Sequence, residues 1–159
     1  MLKFHQKDTV EGFAGSAIII LFLLTLMGCL CGCGKSAVKQ EQILFNILPD
    51  VRINDERPVY IVIRKVNRTE FQIHDYDFIS DMVYANPPNE SLLDWHMLMP
   101  GQKEKIKVIK PDKSDIGVYV LFANPGETWK LLFEAPLKTE YHIKVKNNEI
   151  EEYQKGFLW

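Results

Sequence analysis

The segment IGVYVLFA, residues Ile116 to Ala123, is apolar on both of its alternating faces, as in a strand covered on two sides. Around it lie runs with half that character. Tyr141, Ile143 and Val145 alternate with His142, Lys144 and Lys146, the period-2 pattern of a half-buried strand. Glu104 to Ile109 sets Ile106 and Val108 against Lys105 and Lys107. Val59 to Val66 (VYIVIRKV) is β-branched and aromatic, Gln42 to Leu48 alternates loosely, and Trp129 to Phe133 is a further apolar run. Asn147-Asn148 reads as a two-residue hairpin turn into a strand from Glu149 to about Gln154. Turn residues punctuate these runs: Pro49-Asp50, Asn86-Pro87-Pro88-Asn89, Pro100-Gly101, Pro111-Asp112 and Asn124-Pro125-Gly126. One segment has the other period. Asp75 to Val83 places Phe78, Ile79, Met82 and Val83 on one side at helical spacing, with Asp75 as N-cap. A further short helical turn is expected near Ser91–Asp94. The pattern predicts a mainly β protein, a two-sheet antiparallel β-sandwich with a short helical insertion after the second strand. No internal repeat or low-complexity segment is present.

The beginning of the 159-residue chain is of a different kind. Ala17 to Met27 reads AIIILFLLTLM, without a charge, after a short stretch holding Lys3, Lys7, Asp8 and Glu11. A charged start, an apolar run and small residues form the pattern of a secretory signal peptide. All three cysteines follow at once, at positions 29, 31 and 33. Leu26-Met27-Gly28-Cys29 and Leu30-Cys31-Gly32-Cys33 both read L-x-G-C and resemble the bacterial lipobox, in which a small residue precedes the thiol that takes diacylglycerol. Cys29 gives the more usual apolar length. Cys33 leads directly into polar sequence and leaves no thiol behind, which favours it. Neither choice puts Asp at the second position of the mature chain, so outer-membrane sorting is expected by resemblance. Two other readings stand beside lipidation. Ala14 to Cys33 is long enough for an uncleaved membrane anchor. A thiolate metal site would lack a fourth ligand. The expected organisation is a signal peptide with lipobox over residues 1–33, a linker over 34–40, and a β-sandwich over 41–159.

Composition excludes several functions. The net charge is −2 and the pI near 6.1, so nothing suggests nucleic-acid binding. With no Cys after Cys33, the sandwich has no disulfide and must be held by its core. His5, His74, His96 and His142 are scattered, with none at metal-ligand spacing, and His142 reads as an outward, solvated side chain on its strand. Asp75, Asp77 and Asp81 read as a cap and a solvated helix face. Nucleophile elbow, P-loop and dinucleotide fingerprint are all missing. No catalytic residue, no metal, no small-molecule substrate and no cofactor is expected, apart from covalent diacylglycerol and N-acyl lipid on the lipobox cysteine. Trp95 and Trp129 are expected as sandwich packing. Phe157, Leu158 and Trp159 close the charged tail with three large apolar side chains.

Several pieces, in order, resemble the TssJ (SciN/VasD) outer-membrane lipoproteins of type VI secretion systems. They are the lipobox; a loop with Asn54 and Arg57-Pro58; the strand Val59 to Val66, where Arg64-Lys65-Val66 replaces the family's Y-Q-L type ending; Phe71 and Asp77-Phe78-Ile79; Met99-Pro100-Gly101; Ile116-Gly117-Val118; and Trp129. The resemblance implies a transthyretin-like sandwich with an added helix. It also implies a lipid-anchored structural role on the periplasmic face of the outer membrane, binding the periplasmic C-terminal domain of TssM. The family's contact loop lies between the first two strands. Here it falls at Asp50 to Pro58, with Asn54, Asp55, Glu56 and Arg57 as the expected contacts. The alternative is another outer-membrane lipoprotein with a ligand- or partner-binding sandwich, such as an assembly pilot.

Overall fold

The computed structural model describes residues 40–154. Cys29 and Cys33, the signal segment, linker residues 34–39 and Phe157-Leu158-Trp159 lie outside the described residues. Eight strands build two four-stranded sheets. They are β1 (Gln42–Pro49), β2 (Val59–Val66), β3 (Leu92–Leu98), β4 (Glu104–Ile109), β5 (Asp115–Leu121), β6 (Lys130–Phe133), β7 (Glu140–Val145) and β8 (Ile150–Glu152). The first sheet has the order β4-β1-β7-β8 and the second β3-β2-β5-β6. Two helices, α1 (Arg68–Ile73) and α2 (Tyr76–Tyr84), follow β2. The expected mainly β sandwich with a helical insertion is therefore present.

Alternation does the sorting. Ile43, Phe45 and Ile47 of β1, Ile106 and Val108 of β4, and Tyr141, Ile143 and Val145 of β7 point into the space between the sheets. Ile61, Ile63, Val118 and Val120 meet them from the second sheet. Phe45 lies edge-on to Phe133 (5.7 Å) and stacked on Tyr141 (5.4 Å), so aromatic faces and edges meet favourably at the centre.

The outer face of the second sheet has a second, smaller core. Val62 and Tyr119 are buried there under Ile79 and Met82 of α2, with Phe71 of α1 and Trp129 packed alongside. This is why β2 and β5 are apolar on both faces. Tyr119 shapes this layer through a glycine. A Cβ on Gly117 would stand 2.7 Å from the Tyr119 ring, so the ring can lie flat along the strand only over a residue without one. Beside it Arg64 is buried, its Nη1 3.3 Å from His74 Nδ1 and its guanidinium 5.6 Å above the Phe78 ring. Burial pushes the Tyr119 hydroxyl up to about 12, against the pull of the Arg64 charge. Lys130 donates to the carbonyls of Phe71 (2.7 Å) and His74 (2.8 Å), satisfying backbone acceptors at the end of α1.

Four expectations change. The segment Ser91–Asp94 is not a helical turn; it leads into edge strand β3, which pairs with β2 from Val59↔Leu98 to Arg64↔Leu92 across a bulge. The helical insertion contains two helices, since Asn67 opens α1 with a full capping box to Glu70. The sandwich is not antiparallel throughout, because β1 and β7 run parallel, with Phe45 opposite Tyr141 and Ile47 opposite Ile143. His142 is not freely solvated: its side chain is 14% exposed and packs on Tyr153 at 5.5 Å. Asp75 does cap α2, accepting from the Phe78 amide at 2.9 Å.

Candidate partner-binding face

Strand directions divide the connections between two ends. β1 starts where β4 ends, with Gln42 opposite Ile109, and β4 leads directly to β5. Following each pairing, the β1–β2, β3–β4, β5–β6 and β7–β8 connections all leave from the end opposite Gln42. The chain thus enters the sandwich at one end and gathers four short loops at the other.

The β1–β2 loop, Asp50 to Pro58, ties that far end together. The Asp50 carbonyl accepts from Gly101 N (3.1 Å) in the β3–β4 turn, and Asn54 N donates to Asn147 O (2.6 Å) in the β7–β8 turn. The Asn54 side chain accepts from Ala123 N (2.6 Å) in the β5–β6 loop and donates to Pro58 O (3.2 Å) across its own loop. Gly126 N donates to Asn148 O (2.9 Å), joining the other two loops. Ile53 is fully buried beneath, an apolar peg that seats the loop on the core.

The backbone at this point is uncommon. Asn54, Asp55 and Glu56 have φ of 47°, 55° and 62°, three successive left-handed residues without a glycine. That region costs about 1–2 kcal/mol per L-residue, and only Asn and Asp visit it readily. Such conformations persist where surrounding bonds over-determine them, and they gather at functional sites. Here the bonds are those of Asn54 and the peg is Ile53. The loop presents its charges in a fixed arrangement.

The four expected contact residues divide accordingly. Asp55, Glu56 and Arg57 are exposed at the tip. Asn54 is half-buried, with both ends of its amide engaged inside the fold, so its place is to hold the loop. Asp50, Arg52, Asp55 and Glu56 form one wall of an open groove of about 650 Å³, and Lys144, Lys146 and Asn147 form the other. Side chains of both signs line the groove, with Arg52 among the acids, which suits a partner carrying charges of both signs. Sequence reasoning named the first loop alone. The neighbouring turns were visible as Pro100-Gly101, Asn124-Pro125-Gly126 and Asn147-Asn148, but nothing in them said that they share an end. Among the described residues no group of three or more His, Cys, Asp or Glu could hold a metal ion, and no helix is long and apolar enough to cross a membrane.

Comparison with known proteins adds a family. A model described as IglE, N-terminal domain, matches residues 60–145, more than half of the chain. The chain belongs to the IglE N-terminal domain family. The match begins in β2 and ends in β7, so it takes in the helical layer and the β3–β4 and β5–β6 connections, leaving the β1–β2 loop and the β7–β8 turn outside. Comparison with curated proteins finds no match. Among solved structures, the IglE-type domain is similar to Serratia marcescens Lip, described as a membrane-bound component of the type VI secretion system. The identity is 20% and the TM-score 0.61, over 73% of this chain and 99% of the other. It is similar to the type VI lipoprotein TssJ1 of Pseudomonas aeruginosa, at 14% identity and a TM-score of 0.58, over 75% of this chain and 99% of that one. A chain in a structure described as a type VI membrane complex matches at 20% identity and a TM-score of 0.58, covering 73% of this chain and 100% of its own. The fold resemblance to the TssJ lipoproteins expected from sequence is met.

Proposed function

We propose that this chain is a lipid-anchored structural component of a type VI secretion membrane complex. It is held at the periplasmic face of the outer membrane by its lipobox cysteine, Cys33 or Cys29. Its far-end loops bind the periplasmic C-terminal domain of TssM, and no catalysis is involved. The observation that carries this reading is the β1–β2 loop: a tip with Asp55, Glu56 and Arg57 exposed, held in left-handed backbone by neighbouring loops, at the end opposite chain entry. A pre-set loop loses little conformational freedom on binding, which favours it as a docking element. The membrane-bound and membrane-complex descriptions of proteins with this fold support the setting.

The test is binding of the full chain to the periplasmic domain of TssM. Asp55→Ala combined with Arg57→Ala removes two exposed charges and no described hydrogen bond from a side chain. Affinity is expected to fall about tenfold or more, since truncating charged contacts typically costs more than 1.4 kcal/mol. Unchanged affinity in a variant with unchanged thermal unfolding would exclude this loop as the contact.

A further inference from the structure

The outward face of the first sheet carries lysines in rows. Lys107 lies across from Leu44, Lys105 from Asn46, and Lys144 from Leu48. Neighbouring strands are about 4.8 Å apart and each residue rises about 3.3 Å, so these three positions, two strand spacings apart and up to four residues apart along the strands, share one patch roughly 16 Å across. Among the described residues, none of the three has a carboxylate within ion-pairing distance. Glu140 and Glu151 on this face are already engaged, and Lys144 also lines the far-end groove with Asp50, Asp55 and Glu56. Glu140 accepts from Asn46 (2.7 Å) and stands 3.4 Å from His142, and Glu151 is bound by Lys146 at 2.6 Å. Between the lysines the surface is apolar: Leu44 and Leu48 are half-buried, and Ile109, next outward residue after Lys107, is 51% exposed. On the opposite side, the helical segment from Asn67 to Ser91 holds five acidic residues and one arginine, with Arg64 and Lys130 packed against it, so the balance there is acidic.

We propose that this sheet face lies against an anionic lipid surface, with the acidic helical layer turned away. Lysines interspersed with apolar side chains match a headgroup layer, where the ammonium meets phosphate and the aliphatic parts approach the acyl boundary. Each basic side chain near an anionic surface raises binding about fivefold, and the effect acts within a screening length. The proposal rests on the membrane-anchored reading of the chain. An anchor supplies permanent proximity, and the lysine face then sets which way the domain lies and so where the far-end loops point.

The experiment is a lysine footprint of the full chain on two vesicle compositions, phosphatidylcholine alone and phosphatidylcholine with about one third phosphatidylglycerol. An amine-acylating reagent and peptide mass spectrometry read each lysine. Lys105, Lys107 and Lys144 are expected to be labelled about threefold less on the anionic vesicles, with Lys65, exposed on the second sheet, unchanged as internal control. Salt at about 1 M, where the screening length is about 3 Å, restores the labelling. Lys105→Glu with Lys107→Glu, both on exposed positions, is expected to bring Lys144 labelling on anionic vesicles up to the neutral level. Equal labelling on both compositions overturns the proposal. Protection of Lys105 and Lys107 that depends on adding a protein partner overturns it in favour of a protein contact. The mass of the N-terminal peptide reports acylation separately. A chain without lipid refutes the anchor, and its lysine face is still tested by adding it to the same vesicles from solution.

Discussion

Glu56 sits at φ 62° in the exposed tip, where a β-carbon is a burden and glycine is not. Replacing it with glycine should relieve left-handed strain and stabilise the domain by about 1 kcal/mol, after allowing for the freer unfolded chain. Asn54 has the opposite role. Its alanine variant keeps the left-handed backbone but loses the acceptor for Ala123 N and the donor to Pro58 O. Loss of these two hydrogen bonds at about 1 kcal/mol each, with the poorer fit of alanine to left-handed backbone, should make Asn54→Ala destabilising by about 2 kcal/mol. Denaturant unfolding of the two variants checks the pair, and the opposite signs are the informative part. Sequence legibility divides here in the same way. Asn54-Asp55 is readable as a place that tolerates left-handed backbone. Glu56 is not, because what holds it there is Ala123 and Asn147, more than sixty positions away.

At the scale of elements, α2 was readable because its cap and its apolar stripe agree: Asp75 precedes the run, and Ile79 and Met82 are buried on it. Asp75→Ala should cost about 1 kcal/mol, the usual value of an N-cap, measured by equilibrium unfolding. The loss should fall on the helical layer, so amide exchange quickens in α2 before it does in β1 or β7. α1 was harder to see. It has six residues, none fully buried, and its clearest signal is Asn67 with Glu70 three positions on, which the structure shows as a reciprocal capping box. β3 misled for a physical reason. Its polar residues, Asp94 and His96, share the inward side, where they pair with each other at 3.0 Å near the sheet edge. Trp95 and Met97 face out, Trp95 against Tyr60 at 5.7 Å. A bulge between β2 residues Ile63 and Arg64 also breaks the period. The sequence therefore shows apolar residues at Leu92 and Trp95, spaced as on a helix.

For the whole molecule, alternation identified most strands but not their directions. A period-2 pattern is the same in either sense, so the parallel β1–β7 pair left no trace in the residues that form it. That pair completes the first sheet and leaves β1 and β7 ending together, which brings the loop after β1 beside the turn after β7. The resulting polarity has a direct consequence for binding. Lys103, in the β3–β4 turn, and Lys113, in the β4–β5 connection, are both exposed lysines on short loops, at opposite ends of the same strand. Cysteines introduced there, Lys103→Cys and Lys113→Cys, with the three native cysteines replaced by serine, allow the domain to be fixed to a surface by either end. Fixed through position 113, the far-end loops stay open and binding to the periplasmic domain of TssM should match that in solution. Fixed through position 103, the support lies beside the Asp50–Gly101 bond that joins two loops of the face, and binding should fall about tenfold or more through simple obstruction. Equal binding in both orientations would place the contact elsewhere, on a surface that both attachments leave free.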